Sequence, residues 1–395
     1  MKTGIDCRLF SSRFTGIGRY THELVENFIK LNERAENPHE LVLFFNSPEY
    51  ENFAPPAHVT KILVNARHYS IDEQFIFLKK LNAARLDLVH FPHFNVPVLY
   101  NKPYIVTIHD LTLSMFPGQK MTKWYHRIGY NLTLKNAVKK AKKIIAVSEN
   151  TKKDLIKLLG IPAEKIQVIY NGIAPEFRVI PEFKYATKSH SEPALHLPGK
   201  GEQNERSENP PPFLLYAGVW RSHKNLPRLI QAFKIIKANN PDLQNLKLVI
   251  TGNPDPHYPE IKTTVKLLGL ENEIEFPGLV PENELIKLYN QAAIFVFPSL
   301  YEGFGLPPLE AMSCGTPVAA SNASSIPEIC GTQNAIFFDP HDTDDIAKKI
   351  LTLYKDKELQ QKLIKNGLAH AARFSWEKTA TTTFEILLDC LNKRD

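Results

Sequence analysis

Short β-rich runs alternate with helical periods along almost the whole chain, and few folds accommodate that rhythm. The runs KTGIDCRLF, HELVLFFN, HVTKILVN, LDLVHFP, PYIVTIHD, KIIAVSE and KIQVIYNG are short, apolar and bounded by polar or turn residues, as strands are. Between them Tyr20, Leu24, Phe28 and Leu31 recur at helix spacing, as do Phe75, Leu78 and Leu81. A further helix is expected over 151–159, with Ser148 as its N-cap. The pattern fails over 181–212, PEFKYATKSHSEPALHLPGKGEQNERSENPPP, which is polar and proline-rich and offers too little apolar surface to hold one structure. It then resumes with FLLYAGV, LKLVITG, EIEFPG, AIFVFPS, PVAAS and AIFFDP. This alternation predicts mostly parallel sheets covered on both faces. A chain of 395 residues exceeds what one core supports, so two doubly wound α/β domains are expected, facing each other across a deep crevice at their strand ends.

Composition removes several classes of function. No stretch reaches the roughly 18 apolar residues a spanning helix needs, and MKTGIDCRLF lacks the plan of a signal peptide, so a cytoplasmic protein is expected. Cys7, Cys314, Cys330 and Cys390 are scattered, without C-x-x-C or a His at zinc spacing, and read as free thiols. The net charge of +6 is uneven. Residues 1–180 hold 25 Lys and Arg against 16 Asp and Glu, the remainder 23 against 26. Much of the excess lies in 120–143, which reads either as a solvated helix face or as a surface held near an anionic membrane. Trp124, Tyr125, Ile128 and Leu132 would give the second reading its apolar side. Nothing of a nucleic-acid-reading module accompanies the charge, so nucleic acid is not an expected partner.

The stretch SLYEGFGLPPLEAMSCGTPV, residues 299–318, follows a strand and opens a short helix. Gly303 and Gly305 permit positive φ and close approach of a ligand to the backbone, while Pro307 and Pro308 suit a helix's first turn. The exposed amides of such a helix start bind anions, phosphate above all. Glu302 and Glu310 would repel phosphate but fit vicinal diols, which ribose and hexose both present. Together these features describe a site for a nucleoside-diphosphate sugar. Glu302 as a turn residue and Glu310 as a first-turn partner of the helix dipole is the purely structural alternative.

The E-x7-E pattern of Glu302 and Glu310 within PSLYEGFGLPPLEAMSCGTPVAAS resembles the signature of retaining glycosyltransferases of family 4, which have the GT-B fold of two Rossmann-like domains. YAGVWRSHKNLPRLIQAF, TGIGRYTHEL, VTIHDL, VSENTKKDL and VIYNGI are similar to further segments of that family. The resemblance implies that Glu310 holds the ribose hydroxyls and that Glu302, with the amides of Gly303, Phe304, Gly305 and Leu306, holds the donor hexose. It implies that Arg221 and Lys224 neutralise the leaving diphosphate, and that Gly16 and Gly18 face the same group. His109 would contact the sugar or the transition state, Asp110 would cap a turn or orient His109, and backbone near Val280 would meet the base. The domains implied are 1–180 on the acceptor side, a linker or loop over 181–212, a nucleotide-sugar-binding domain over 213–374, and a helix over 375–395 crossing back to the first domain.

His90 and His93 are three apart in an expected strand and so point to opposite faces, which argues against joint metal ligation. The D-x-D pattern in HDTDD, 341–345, precedes a helical run and reads as an N-cap, so no metal is expected. NARHYSIDEQFIFLKKL followed by HFPHFNVP looks most like bacterial mannosyltransferases of surface-polysaccharide or lipid-linked glycan assembly. That implies GDP-mannose as donor, a glycan or lipid-linked acceptor, and a place on the inner face of the plasma membrane. The alternatives are a sugar-nucleotide epimerase of the same fold and a non-catalytic scaffold binding nucleotide sugar or membrane.

Overall fold

The computed structural model describes residues 1–10, 16–35, 38–116, 124–184 and 211–392. The chain divides into two compact units, one of Met1–Pro117, Met121–Gly172 and Phe374–Asp395, the other containing Ile173–Arg373. Both are α/β with wholly parallel sheets.

In the first unit β1 (Lys2–Asp6), β2 (Glu40–Phe45), β3 (Val59–Leu63), β4 (Leu88–Phe91), β5 (Tyr104–Ile108), β6 (Lys143–Ala146) and β7 (Ile166–Val168) lie in the order β3-β2-β1-β4-β5-β6-β7. The strands β2, β5 and β6 are near-continuous apolar runs because both faces of the sheet are covered there. On β2 the period of two sorts the side chains. Val42 and Phe44 enter a core with Phe77, Phe91 and Leu134, while Leu41, Leu43 and Phe45 enter another with Leu24, Phe28 and Leu387. The helix Trp376–Asn392 packs on the helix Ile17–Glu33, with Phe384 and Phe28 edge to face at 5.6 Å.

In the second unit β8 (Phe213–Ala217), β9 (Lys247–Thr251), β10 (Ile274–Gly278), β11 (Ile294–Phe297), β12 (Val318–Ser321) and β13 (Ile336–Phe338) lie in the order β10-β9-β8-β11-β12-β13. The order reverses between β8 and β11, so successive crossovers leave for opposite faces and the loops at these two strand ends part. The first unit reverses in the same way between β1 and β4.

Three features differ from the sequence reading. The second unit begins at Ile173, ahead of the boundary expected at 180, because Phe177 packs on Tyr289 at 5.9 Å and the Ile180 N–H donates to Asn290 Oδ1 at 2.9 Å. The helix sought through Phe75, Leu78 and Leu81 opens as a π-helix over Glu73–Phe77, continuing as an α-helix over Leu78–Ala83. The wider turn buries Phe77 and leaves Phe75 exposed. Of the expected linker 181–212, Pro181–Lys184 is a short helix, and 185–210 lie outside the described residues.

Gly252, after β9, has φ +130°, and a Cβ there would stand 1.9 Å from the Gly218 carbonyl oxygen after β8. Both atoms are constrained by backbone, so neither yields cheaply. Gly252→Ala should destabilise the second unit by about 1–3 kcal/mol in urea unfolding. An unchanged midpoint and slope would contradict this packing.

Candidate donor-binding and active site

The loop after β8 carries Trp220 and Arg221 into a 3-10 turn, Ser222–Lys224. Asn225 ends the turn at φ 61° and ψ 28°, a left-handed conformation that asparagine tolerates better than most residues. Its side-chain amide donates to the carbonyls of Pro298 at 3.1 Å and Pro340 at 2.7 Å. The His223 carbonyl accepts the Leu300 N–H at 2.7 Å. The turn is thereby fixed against the loop after β11, and Lys224 Nζ reaches Glu302 Oε1 at 2.6 Å. Each side chain of this pair keeps 13% of its surface exposed, so it sits at the rim of the sheet's carboxyl edge.

Glu302 is held through its backbone. Its N–H donates to Ser324 Oγ at 2.9 Å, and the Ser325 hydroxyl donates toward the carbonyls of Glu302 at 3.0 Å and Phe304 at 2.9 Å. Gly305 at φ 101° turns the chain into the helix Leu306–Ser313, with proline in its first turn as expected. Glu310, on that helix, is buried, and its Oε2 accepts the Tyr289 hydroxyl at 3.0 Å. Burial, and after it the negative charge of Glu302, hold the Tyr216 phenol well above its ordinary pKa.

Arg221 lines a cavity of about 330 Å³ with Pro227, Arg228, Gln231, Glu260 and Ile261. Val280 is partly buried between β10 and the helix Glu282–Gln291. Asp342 caps the helix Thr343–Lys355, its Oδ1 accepting the N–H groups of Asp344 at 2.9 Å and Asp345 at 3.1 Å. Among the described residues no three His, Cys, Asp or Glu side chains gather as a metal site would require.

In the first unit His109 follows β5, and its Nε2 lies 2.8 Å from the Pro92 carbonyl oxygen. A carbonyl only accepts, so Nε2 carries the proton and Nδ1 keeps its lone pair. Burial lowers the pKa of His109, which leaves the imidazole neutral near pH 7. Its ring meets Tyr20 edge to face at 4.7 Å and lies 6.5 Å from His93. His90 is wholly buried beneath, with Nε2 2.9 Å from Thr107 Oγ1, and its pKa falls to about 3 through burial and then the nearby His109. Asp110 Oδ1 accepts the Thr112 N–H, the capping alternative. Gly16, at φ 58°, immediately precedes the helix Ile17–Glu33, and Gly18 is buried in its first turn.

Sequence reasoning did not find Ser324, Ser325, Asn225 or Tyr289. The first three act through backbone groups, which leave no pattern in side-chain type. Only the asparagine before the LP helix start carried a local cue, its tolerance of positive φ.

A family model described as "Glycosyl transferases group 1" matches residues 200–370, and one described as "Glycosyltransferase Family 4" matches residues 14–177. The O-antigen chain mannosyltransferase B of Escherichia coli is 30% identical over 388 residues, covering 93% of this chain and 94% of that protein. The chain belongs to the family 4 glycosyltransferases. The O-antigen chain mannosyltransferase RfbU of Salmonella typhimurium is 30% identical over 255 residues, 65% of this chain and 61% of that one. Among solved structures, sucrose-phosphate synthase from Thermosynechococcus elongatus matches with TM-score 0.78 at 19% identity, covering 100% of both chains. The glycosyltransferase therefore has the GT-B fold, in agreement with the sequence reading.

Asn225→Ala should cost about 2–4 kcal/mol in urea unfolding, from two lost hydrogen bonds and a left-handed alanine. Asn225→Gly should recover about 1 kcal/mol of that by relieving the backbone strain alone. Equal losses in the two variants would show that the strain argument is wrong.

Proposed function

We propose that this glycosyltransferase moves mannose from GDP-mannose, with retention and without a metal ion, to a glycan or lipid-linked acceptor in surface-polysaccharide assembly. The observation that carries the reading is the 2.6 Å pair of Lys224 and Glu302 beside the start of the helix Leu306–Ser313. A diphosphate placed against those helix amides competes with Glu302 for the ammonium. Once Lys224 turns to the leaving phosphate, the Glu302 carboxylate is released to accept sugar hydroxyls. Glu310, whose Oε2 accepts the Tyr289 hydroxyl, is the carboxylate we assign to the ribose diol.

Retention ordinarily invites a protein nucleophile. In the proposed scheme the departing β-phosphate instead takes the acceptor's proton on the same face, and the protein supplies position and charge. The metal-independent reading is supported by Lys224 standing where a cation would, and by Asp342 being committed to its helix cap. Arg221 as a second diphosphate cation, His109 as a neutral acceptor of a hydroxyl, the amides beyond Gly16 as a phosphate nest, and Val280 at the base belong to the same proposal. Mannose and the polysaccharide pathway are supported by the similarity to the two O-antigen mannosyltransferases. No helix among the described residues is long and apolar enough to cross a membrane, and we place the enzyme peripherally, on the cytoplasmic side.

Lys224→Ala should lower kcat by about 10²- to 10³-fold, the scale of one lost charge-stabilising donor. Turnover in EDTA should equal that with added Mg²⁺ or Mn²⁺, and a variant within threefold of wild type would remove Lys224 from the mechanism. Glu310→Ala should weaken GDP binding by about 1.5–3 kcal/mol, the worth of hydrogen bonds to a charged group. Calorimetric titration checks this, and equal affinity for wild type and variant would take the ribose contact away from Glu310.

A further inference from the structure

We propose that the carboxyl edge of the first unit's sheet, where β1 and β4 part, is a subsite for a neutral sugar of the acceptor glycan, held through its hydroxyls by Arg8, His93 and Asn95. The proposal rests on the transferase reading above and names the chemistry of its acceptor.

The residues come from loops at one place on that edge. Arg8 follows β1, His93 and Asn95 follow β4, and Glu73 opens the π-helical turn. The strand order reverses between β1 and β4, and ligands of open α/β sheets bind at such a point. Arg8 is 2% exposed. Its Nε donates to Asp6 Oδ1 at 2.9 Å, and its Nη2 donates to Asp6 Oδ2 at 2.8 Å, Glu73 Oε1 at 3.1 Å and the Asn95 carbonyl at 3.2 Å. Phe77 covers one face of the guanidinium, its ring centroid 3.8 Å from Cζ. Asn95, 1% exposed, donates through Nδ2 to Glu73 Oε2 at 3.3 Å.

This network leaves three buried polar atoms without a hydrogen-bond partner among the described residues: Arg8 Nη1, Asn95 Oδ1 and His93 Nδ1. Leaving a buried donor or acceptor unmade is costly, and three in one cluster call for a ligand. Tyr69 adds a second sign. It is held at φ 59°, its N–H donates to Glu73 Oε2 at 2.8 Å, and its ring lies 6.3 Å from that of His93. Backbone strain of this kind gathers at ligand sites. The His93 side chain is partly exposed and Tyr69 fully so, and the cluster reaches solvent at these two rings.

The unmet atoms select the ligand. Arg8 Nη1 donates, Asn95 Oδ1 accepts, and a hydroxyl can answer both. A phosphate or carboxylate accepts only and leaves Asn95 Oδ1 unmet. Charge also disfavours an anion, because the Arg8 guanidinium already faces two carboxylates. The neighbouring imidazoles add no positive charge near pH 7. Burial, and after it His109 and His68, lowers His93 to about 3, and burial, then Arg8, lowers His68 to about 4. The His93 ring lies 6.5 Å from that of His109. A sugar held here is therefore next to the imidazole that the proposed function assigns to a hydroxyl.

The test is saturation-transfer NMR on the full chain with the methyl glycosides of mannose, glucose, galactose and N-acetylglucosamine. At least one of these should bind, and inorganic phosphate should not displace it. His93→Phe, which keeps a ring against Phe94, and Asn95→Ala should each weaken that glycoside about tenfold, the scale of one hydrogen bond. GDP affinity, read by calorimetry, should stay at the wild-type value in both. His93→Phe should also keep the wild-type melting temperature, and it decides the test should Asn95→Ala not fold. The proposal is overturned if no glycoside binds, or if phosphate displaces the one that does, which would mark an anion site. It is overturned equally if a folded variant binds the glycoside as wild type does, which would leave the cluster to buried water. The GDP titration separates the two readings. GDP bound without any sugar removes the subsite and leaves the donor site, whereas sugar bound in a His93-dependent way without GDP removes the donor reading alone.

Discussion

Parallel strand pairing is the constraint on which the rest depends. A parallel pair requires a crossover, the crossovers cover both faces, and all strands of a sheet then end on one edge. That is why β2 divides its side chains between two cores with no polar face left. It is also why the loops bearing functional groups gather. In the second unit the reversal between β8 and β11 parts two loops at that edge, and Lys224 and Glu302, 78 residues apart in the chain, meet across them.

That meeting has little value as a staple. A partly buried ion pair gives back in desolvation much of what it gains in attraction, and such pairs are weak evidence for stability. The surrounding backbone bonds tell more. Ser324, Ser325 and Asn225 hold the two loops so that a cation and a carboxylate stand within 2.6 Å without depending on each other for position. A group held in that way can change partner without the loops collapsing, which is what positioning for a charged ligand requires.

Much of this was legible in advance, for identifiable reasons. Alternating apolar runs and helical periods located every strand of both sheets, since a strand buried on both faces has few ways to be written. Gly303, Gly305, Pro307 and Pro308 announced the turn and the helix start, because positive φ and a missing N–H restrict the residue type. Asp342 was legible as a cap for the same kind of reason. Arg221 was named beside Lys224 from nearness in sequence, but its place in a cavity with Ser222, Asn225 and Glu260 was not legible. The π-helical turn at Glu73–Phe77 was not legible either, because Phe75, Leu78 and Leu81 satisfy the ordinary helix period.

The sequence by itself determined the two parallel α/β units, the family, and the identity of the residues that carry charge and turn the chain. Those properties are local, fixed by side-chain type and spacing over a few turns. Only the tertiary structure decided which groups face each other: Lys224 with Glu302, Tyr289 with Glu310, and the buried Arg8 with Glu73 beneath an exposed Phe75. Such pairings join segments separated by 21 to 78 residues, and they arise where strand order and loop geometry meet. No periodicity along the chain encodes them.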